Sequence, residues 1–477
     1  MPTTEIIIIC IGLYLLLLIT IGILSRRNKS SGSLKDHYLA GGNLGAFVLL
    51  LTLYATQYSA NTLLVTPAEV VNKGFSMILI LGYMTSVVIF YLTFAPQLYK
   101  ISRKADFITP GDWFDFRFKL PKLTLFSNTI LIIVSVNFLL SQLIAMGHIA
   151  SGFTEGKIPY WAGVVFLALI VILYETLGGM RAVAWTDVLQ GIMLIAGLIG
   201  MFLIFFPDVE QLNNISKWLI ENEPEKINLP DANLALYWGS TVLMIGIGAA
   251  VYPQAIQRIY AAKTLSILKK SIGAMVFMPF ITVLVLFFLG VISIPHFVES
   301  ESISTDSVLP IMLEHWGSHS QLSFVLMVMI VVSLLAAIMS TADSVLLTLS
   351  SIISKDVLGK TILKSAPEEK ITKYGKTTSW VIMGILIIFA LQPRITLWGL
   401  IELKMQILIQ IAPLFILGVH STKVTSKGVF AGLCVGSIFA ICAFFLDIKT
   451  IAGIQIGLIG FIINVICCFT FSKKASL

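Results

Sequence analysis

The sequence predicts an all-α integral membrane protein, and three observations support this fold class. Hydrophobic residues make up 57% of the 477 residues and charged residues only 12%, whereas a soluble domain carries about 25% charged residues. The mean hydropathy is +0.94. The apolar residues form continuous runs of about 20 residues, the length that a helix needs to cross a bilayer. They do not form the short alternating segments of a transmembrane barrel.

Thirteen such runs predict about thirteen membrane-spanning helices joined by short loops. In chain order, the predicted spans cover roughly residues 5–25, 45–71, 76–99, 124–152, 159–178, 183–206, 235–260, 268–295, 321–351, 376–393, 396–419, 428–447 and 450–471. The first run is longer than the apolar region of a signal peptide and has no cleavage pattern, so we expect it to be retained. The acidic loop at about 207–234 is expected to be solvated, with a short helix around Lys217–Glu221.

The basic residues predict the orientation of these spans. With the N-terminus outside, the segments that face the cytoplasm hold 25 of the 32 Lys and Arg residues, and the outer segments hold six. Because cytoplasmic loops are enriched in Lys and Arg, we expect an outer N-terminus and a cytoplasmic C-terminus in the plasma or inner membrane. This distribution explains the net charge of +7 without a nucleic-acid partner. The five cysteines lie in apolar runs and indicate neither disulfides nor a metal site.

Polar residues and helix breakers interrupt the second and seventh spans near their middles. The second span contains YATQYSAN followed by Pro67, and the seventh contains MIGIGAAVYPQAIQR with Gly246, Gly248 and Pro253. Unwound backbone inside a membrane is tolerated where it lines a cavity, and its carbonyls can then bind a cation. Two interrupted spans, five apart, predict an inverted-repeat transporter with its binding site at the interface of the repeats.

A polar stripe in the ninth span faces this predicted site. The stretch LLAAIMSTADSVLL places Ser340, Thr341, Asp343 and Ser344 in an otherwise apolar run. Because residues three and four apart share a helix face, Ala337 and the three hydroxyl residues form one stripe with the carboxylate at its flank. Hard cations take oxygen ligands, and neutral oxygens suit a monovalent ion such as sodium. The alternative is that the hydroxyl groups only hydrogen-bond neighbouring helices.

Five stretches make the chain resemble the sodium:solute symporter family, which includes cotransporters of proline, pantothenate, sialic acid and glucose. They are DHYLAGGNLGAFVL, ITPGDWFDFRF, YETLGGMRAVAWTDVLQGIMLIAG, YPQAIQRIYAAK and LAAIMSTADS. The resemblance covers nearly the whole chain and implies a LeuT-type fold of five core helices and an inverted copy of them. It implies a single transporter domain with an extra N-terminal helix and loop (1–44), a first repeat (45–207), an inverted second repeat (235–420) and two extra C-terminal helices (428–477).

The resemblance also implies sodium as the coupling ion and the residues that bind it. The principal site would consist of the backbone carbonyls of Ala55, Tyr58 and Ala337 and the hydroxyls of Ser340 and Thr341. A possible second site would use Asp187, Asp343 and Ser344. Asp187 has an alternative role as a structural acid paired with Arg181.

Departures from the proline permeases of the family leave the solute open. Those proteins carry an acid where this chain has Gln57, and aromatic residues where it has Ile245 and Ala249. In the eleventh span, Glu402 and Lys404 could pair with each other, or with a zwitterionic or carboxylate solute. An amino acid or a small carboxylate is the expected solute, and a sugar or a vitamin is the alternative.

These features predict a sodium-coupled symporter that imports a small organic solute across the lipid bilayer by alternating access. The residues expected to line its solute pocket are Gln57, Ser59, Asn61, Thr62, Tyr252 and Gln254. A transporter-like membrane sensor is the alternative, but it would need a signalling domain, and few residues follow the last predicted span. An enzyme would need a cluster of His, Glu or Asp at a membrane face. The six histidines are scattered, so no catalytic role is expected.

Overall fold

The computed structural model is almost entirely helical, as the apolar runs predict. The structure describes residues 3–27, 32–205, 209–228, 231–297, 308–317, 320–392 and 397–473. The first part of the chain forms α1 (Thr3–Arg27), α2 (Leu34–Leu39), α3 (Ala46–Gln57), α4 (Ala60–Lys73), α5 (Leu79–Ala105), α6 (Pro110–Phe118), α7 (Pro121–Gly152), α8 (Tyr160–Gly178), α9 (Met180–Phe205) and α10 (Val209–Asn222). The second part forms α11 (Ala232–Ala250), α12 (Pro253–Ala261), α13 (Leu265–Met275), α14 (Met278–Ser293), α15 (Val308–Gly317), α16 (Gln321–Ser351), α17 (Glu368–Ala390), α18 (Leu397–Leu408), α19 (Ala412–His420), α20 (Ser426–Phe445) and α21 (Ile456–Lys473). A two-stranded antiparallel hairpin, β1 (Thr450–Ile451) and β2 (Ile454–Gln455), precedes α21.

Each predicted span coincides with one of these helices or with a consecutive pair of them. Ten helical stretches in the described part of the chain are long and apolar enough to cross a membrane. Two shorter apolar helices, α3 and α21, fall outside that set. The all-α membrane fold is therefore confirmed, whereas the number of thirteen crossings stays a prediction.

Three element boundaries differ from the prediction for local reasons. The acidic loop contains α10, a helix of 14 residues, which is longer than the short helix expected near Lys217. The last span begins at Ile456 rather than near residue 450, because Ala452 and Gly453 take positive φ angles and turn the hairpin. The eighth predicted span is two helices, since α13 and α14 separate just before Pro279, which lacks a backbone N–H.

Helix α16 lies at the centre of the bundle and carries the polar stripe of the ninth span. Its residues 334–349 are all 0% exposed, and it packs against α3, α7 and α9. The contact with α9 is close at Gly197, where a Cβ atom would lie 1.9 Å from Ser333 Oγ. The polar stripe is therefore enclosed by other helices rather than by lipid, as expected of functional polar groups in a membrane.

The two interrupted helix pairs, α3–α4 and α11–α12, run in opposite directions. The start of α3 meets the end of α12 through a backbone bridge, in which Leu44 N donates to Ala261 O at 3.0 Å. Lys263 N in turn donates to Leu44 O at 3.0 Å. Because one pair begins where the other ends, the arrangement is the one that inverted repeats produce.

The motif ITPGDWFDFRF folds into α6, which connects two parts of the bundle at one face. Thr109 N donates to the Asp112 carboxylate at 3.0 Å and so begins the helix. Asp112 also forms an ion pair with Lys355 in the π-helical turn Ile352–Leu358 that follows α16. Burial disfavours the charged form of Asp112, but the ammonium of Lys355 and two backbone N–H groups hold its pKa below the usual range.

Candidate functional site

The first helix break separates α3 from α4. Helix α3 ends at Gln57, and Tyr58 and Ser59 are extended, with ψ angles of 96° and −179°. The local sequence favours this break because Ser and Asn side chains compete for backbone hydrogen bonds in non-helical conformations. The last carbonyls of α3 lose their intrahelical partners there. Because Tyr58 is buried, these oxygens are available deep inside the protein.

The second helix break separates α11 from α12. Helix α11 ends at Ala250, and α12 begins at Pro253. Proline suits the first turn of a helix because its fixed φ is helical and its missing N–H has no partner there anyway. Tyr252 precedes it, and its ring stacks on Phe138 of α7 with 5.0 Å between the ring centroids.

The hydroxyl stripe of α16 lies against the first break. Thr56 Oγ1 is 3.2 Å from Ser344 Oγ, so α3 and α16 are in direct contact at this depth. Thr341 Oγ1 donates to the carbonyl of Ala337 at 3.1 Å, which brings two of the expected sodium ligands together. Ser340 Oγ donates to a carboxylate oxygen of Asp187 at 2.5 Å. The expected ligands Ala55, Tyr58, Ala337, Ser340 and Thr341 are all buried.

A charged cluster adjoins this stripe and contains the three residues of the possible second sodium site. Arg258 Nη2 lies 3.2 Å from Asp187 Oδ2, and both side chains are 0% exposed. The same guanidinium donates to the Ser344 hydroxyl. Asp343 accepts a hydrogen bond from Tyr174 Oη at 2.7 Å. The cluster therefore contains two carboxylates and one guanidinium in a water-poor environment.

Two sequence interpretations of these charges are wrong. Arg181 pairs with Asp36 at 2.6 Å, so it is not the partner of Asp187. Arg258, which the orientation argument counts among the cytoplasmic loop charges, is inside the bundle as the partner of Asp187. The reason is that Arg258 lies within α12 and pairs with the buried carboxylate of Asp187 instead of facing the loop that follows. The excess of basic residues on one side of the membrane survives the loss of this one charge.

A cavity of about 40 Å³, named here the central cavity, lies between the two helix breaks. Its lining consists of Gln57, Ser59, Thr62, Tyr83, Met84, Phe138, Ile245, Ala249, Tyr252, Ile401, Lys404 and Met405. Four of the six expected pocket residues are therefore together. The fifth, Gln254, is buried outside this lining, and its carbonyl accepts from Arg258 at 3.3 Å. The side chain of the sixth, Asn61, lies outside the described residues.

Eight of the twelve residues that line this cavity are not among the expected pocket residues, and three of the eight are aromatic or charged: Tyr83, Phe138 and Lys404. Phe138 gives no sequence signal, because an aromatic residue in an apolar span looks like a lipid-facing or core residue. Tyr83 of α5 is equally inconspicuous. Lys404 does carry a signal, since a basic residue within a span is rare, but its position at the central cavity depends on the fold.

A second, mostly apolar cavity of about 30 Å³ adjoins the central cavity and shares Gln57 and Ala249 with it. It also contacts Ala255, which follows the break in α11–α12, whereas the central cavity contacts Ile245, which precedes that break. The two cavities are thus at successive depths, with the half-buried Gln57 side chain between them.

Two oppositely directed, interrupted helix pairs around a polar cavity define a secondary transporter of the LeuT-fold class. The family model for the sodium:solute symporter family matches residues 37–436. The chain is 25% identical to the osmoregulated proline transporter OpuE of Bacillus subtilis (strain 168), covering 96% of this chain and 93% of the relative. It is 26% identical to a sodium/proline symporter of Staphylococcus aureus (strain Newman), covering 98% and 92%. A solved structure of a Na⁺-coupled sialic acid symporter, in a substrate-bound outward-open state, superposes with a TM-score of 0.82 at 18% identity, covering 98% of both chains.

The chain therefore belongs to the sodium:solute symporter family. This membership confirms the expected class of function, the sodium-coupled symport of a small organic solute by a multi-pass membrane protein. It is a family of secondary transporters rather than of enzymes. The low identity of the solved structure means that the superposition supports the fold and not the identity of the solute.

Proposed function

We propose that this chain imports a small organic solute together with sodium by alternating access through the central cavity. One observation carries the proposal: the cavity lies between the two helix breaks and takes Ser59 from one and Tyr252 from the other. Since interrupted helices can rearrange at their breaks, movement of either pair changes the shape of the cavity directly. The adjoining apolar cavity, beyond Gln57, provides the next step of a path toward the opposite side of the protein.

The coupling sodium binds between the break in α3–α4 and the stripe on α16. Its ligands are the carbonyl oxygens of Ala55, Tyr58 and Ala337 and the hydroxyl oxygens of Ser340 and Thr341. Two features support this assignment: the break leaves carbonyls without helical partners, and Thr56 and Ser344 connect the two helices at this depth. Bound sodium then holds α3–α4 and α16 together and orders the backbone that faces the solute.

A second sodium binds at the charged cluster, near Asp187, Asp343 and Ser344. Arg258 supplies one positive charge to two buried carboxylates. With both carboxylates ionised, one negative charge remains to be balanced, and burial makes an unbalanced charge unfavourable. A monovalent cation provides the balance.

The solute is an amino acid or a small carboxylate, and a sugar or a vitamin is the alternative within the same family. The sequence relatives named above are a proline transporter and a sodium/proline symporter. Proline carries a carboxylate group. Polar contacts to the solute come from Gln57, Ser59, Thr62 and Tyr252, which line the central cavity.

The protein lies in the plasma or inner membrane with its N-terminus outside and its C-terminus in the cytoplasm. The distribution of basic residues supports this orientation. The two repeats then comprise residues 45–207 and 235–420, between the extra helices of 1–44 and 428–477. Cysteines introduced at positions 2 and 365 test the topology, since an impermeant reagent applied outside labels only the first. Labelling of position 365 alone would show that the protein has the opposite orientation in the membrane.

The functional test uses purified protein in proteoliposomes with an imposed inward sodium gradient. Uptake of a radiolabelled solute should require the gradient, and an inside-negative potential should accelerate it, because one charge moving through 100 mV contributes about 2.3 kcal/mol. Solute binding without gradient-driven accumulation would instead favour the sensor alternative.

A further inference from the structure

Lys404 of α18 is a buried cation at the wall of the central cavity. Its side chain is 3% exposed, and it is one of the residues that line the cavity. Its Nζ lies 3.4 Å from the centroid of the Phe138 ring and 5.6 Å from that of Tyr252. The ammonium group therefore lies against two stacked rings, and all three side chains line the same cavity.

Within the described part of the chain, no carboxylate lies within 4.0 Å of this ammonium group. Glu402 is the nearest acid in sequence, but residues two apart on a helix do not face each other. Glu402 acts electrostatically on Tyr237 of α11, and it is not without a partner of its own. The pairing of Glu402 with Lys404, one of the alternatives from the sequence, is therefore not formed.

Among the residues that the structure describes, the remaining lining of the cavity offers no compensating negative charge. Its polar groups are the amide of Gln57 and the hydroxyls of Ser59, Thr62, Tyr83 and Tyr252, and the other side chains are apolar. The described lining thus presents one cation, several neutral hydrogen-bonding groups and no acid. A cation in a water-poor site is unfavourable unless an anion pairs with it, and an ionisable residue inside a membrane marks a substrate or ion path.

We propose that Lys404 binds the carboxylate of the transported solute, and that this solute is a small organic anion without a balancing ammonium group. The inference rests on the proposed function and names the substrate class of the same cavity. The aromatic rings hold the ammonium in position through cation–π contacts, and the carboxylate approaches from the cavity side. With the two sodium ions of the proposed function, the anion crosses the membrane as part of a load with one net positive charge, which an inside-negative potential drives inward, while the charge of Lys404 stays with the protein.

The size of the cavity sets a further condition on this solute. A volume of about 40 Å³ holds only a few water molecules, since each needs about 10–15 Å³ by the same measure. The solute therefore enters only when the lining side chains move apart, and small carboxylates require the least movement.

The experiment compares matched solutes that are similar in size and shape within each set and differ in charge. Full-length protein in nanodiscs with saturating sodium is titrated with three triplets of carboxylate, amino acid and amide. These are propionate, L-alanine and propionamide; cyclopentanecarboxylate, L-proline and cyclopentanecarboxamide; and 3-phenylpropionate, L-phenylalanine and 3-phenylpropionamide. In at least one triplet the carboxylate should bind more tightly than both other members.

The same titrations in Lys404→Gln should show carboxylate binding weakened about 30-fold or more, the usual consequence of removing one partner of a buried charge pair. Lys104→Gln makes the same chemical change at an exposed position and should bind like the wild type. If Lys404→Gln does not fold, Lys404→Met, with a side chain of similar length, provides the same comparison. Binding retained without the ammonium group, or no preference for the carboxylate in any triplet, overturns the inference.

Other outcomes separate this inference from the proposed function. Tighter binding of the amino acid than of the carboxylate overturns the preference for an anion. Sodium-dependent binding of amides alone leaves symport intact and removes the role of Lys404. A protein to which sodium-dependent binding of no solute can be detected contradicts both.

Discussion

Arg258 and Lys404 are both cations buried in the membrane part of the protein, but their surroundings differ. Arg258 forms an ion pair with Asp187 at 3.2 Å and donates hydrogen bonds to the hydroxyls of Thr52 and Ser344. Lys404 contacts two aromatic rings and the central cavity, and no carboxylate of the described chain is its partner. The charge of Arg258 is balanced by a carboxylate of the protein, whereas the charge of Lys404 is proposed to be balanced by the bound solute.

The difference separates a charge that holds the fold from a charge that binds a ligand. A cation–π contact contributes up to about 2 kcal/mol when desolvated, whereas burying an ion costs several kcal/mol even after relaxation. The contacts with the rings therefore do not offset the free-energy cost of burying the Lys404 ammonium group. Lys404 thus lowers the stability of the protein when no solute is bound. Arg258 has both a counter-ion and hydrogen bonds, so removing it should destabilise the protein.

The largest effect is expected for Arg258→Met, which leaves Asp187 buried without its partner. The free energy of unfolding should fall by about 3–5 kcal/mol, the usual result of breaking a buried ion pair from one side. Chemical unfolding of the protein in detergent micelles measures this change. The double variant Asp187→Asn with Arg258→Met is the control and should recover most of the loss. An Arg258→Met protein as stable as the wild type would contradict the structural role of this pair.

The opposite sign is expected for Lys404→Met measured without solute. Methionine has a similar length and packs favourably against aromatic rings, and no carboxylate is left unpaired by the change. The free energy of unfolding should rise by roughly 1 kcal/mol or more, as replacements of buried charges by apolar groups often stabilise proteins. Lys104→Met, at an exposed position, should change stability little. A clear loss of stability in Lys404→Met would mean that the ammonium is held for its contacts with Phe138 and Tyr252.

Gln57 tests the neutral side of the central cavity. Gln57→Ala should weaken solute binding by roughly 1–3 kcal/mol, because a polar group of the bound solute loses its hydrogen-bond partner. Sodium affinity without solute should change little. Gln57→Glu should raise sodium affinity and reject anionic solutes, since it adds a negative charge beside the break. Titration calorimetry measures the affinity for sodium and for the solute. A variant that loses sodium affinity but keeps its solute affinity would show that Gln57 serves the sodium site rather than the solute site.

The smallest effect is expected at the partly hydrated ion pair of Asp112 and Lys355. Lys355→Met should reduce the free energy of unfolding by about 1 kcal/mol, near the upper end for exposed pairs. The pKa of Asp112 lies below its usual range despite burial, owing largely to Lys355. The contribution of this ion pair to the free energy of unfolding is therefore fully present above the ordinary carboxyl pKa of about 3.9. It is lost as the pH falls through the lowered pKa of Asp112 in the folded protein. An acid-unfolding profile that Lys355→Met leaves unchanged would count against this role.

Features that depend on neighbours along the chain were predictable from the sequence. The apolar runs give the helix positions, and the polar YATQYSAN stretch gives the break at Tyr58. The same local reasoning gives the break before Pro253. Four cavity residues follow from these breaks, because unwound backbone is expected to line a binding site.

Features that depend on distant residues were not predictable. Arg258 comes shortly before other basic residues, so the sequence alone indicates a loop charge, whereas its burial depends on Asp187, 71 positions earlier. Gln254 follows the break by only two residues, yet the direction of α12 keeps it out of the central cavity. Phe138 joins the cavity only because α7 packs beside the second break.

Sodium titration of the solute-free protein tests the central claim most directly. The wild type should show saturable thermal stabilisation by sodium, and the double variant Ser340→Ala with Thr341→Ala should lose it while remaining folded. Ser350→Ala is the matched control, since Ser350 is also buried on α16 and its hydroxyl donates to the carbonyl of Leu347 at 2.9 Å, but it is not one of the proposed sodium ligands. It should retain the wild-type sodium affinity. An unchanged sodium affinity in the double variant would contradict the site between the first helix break and α16.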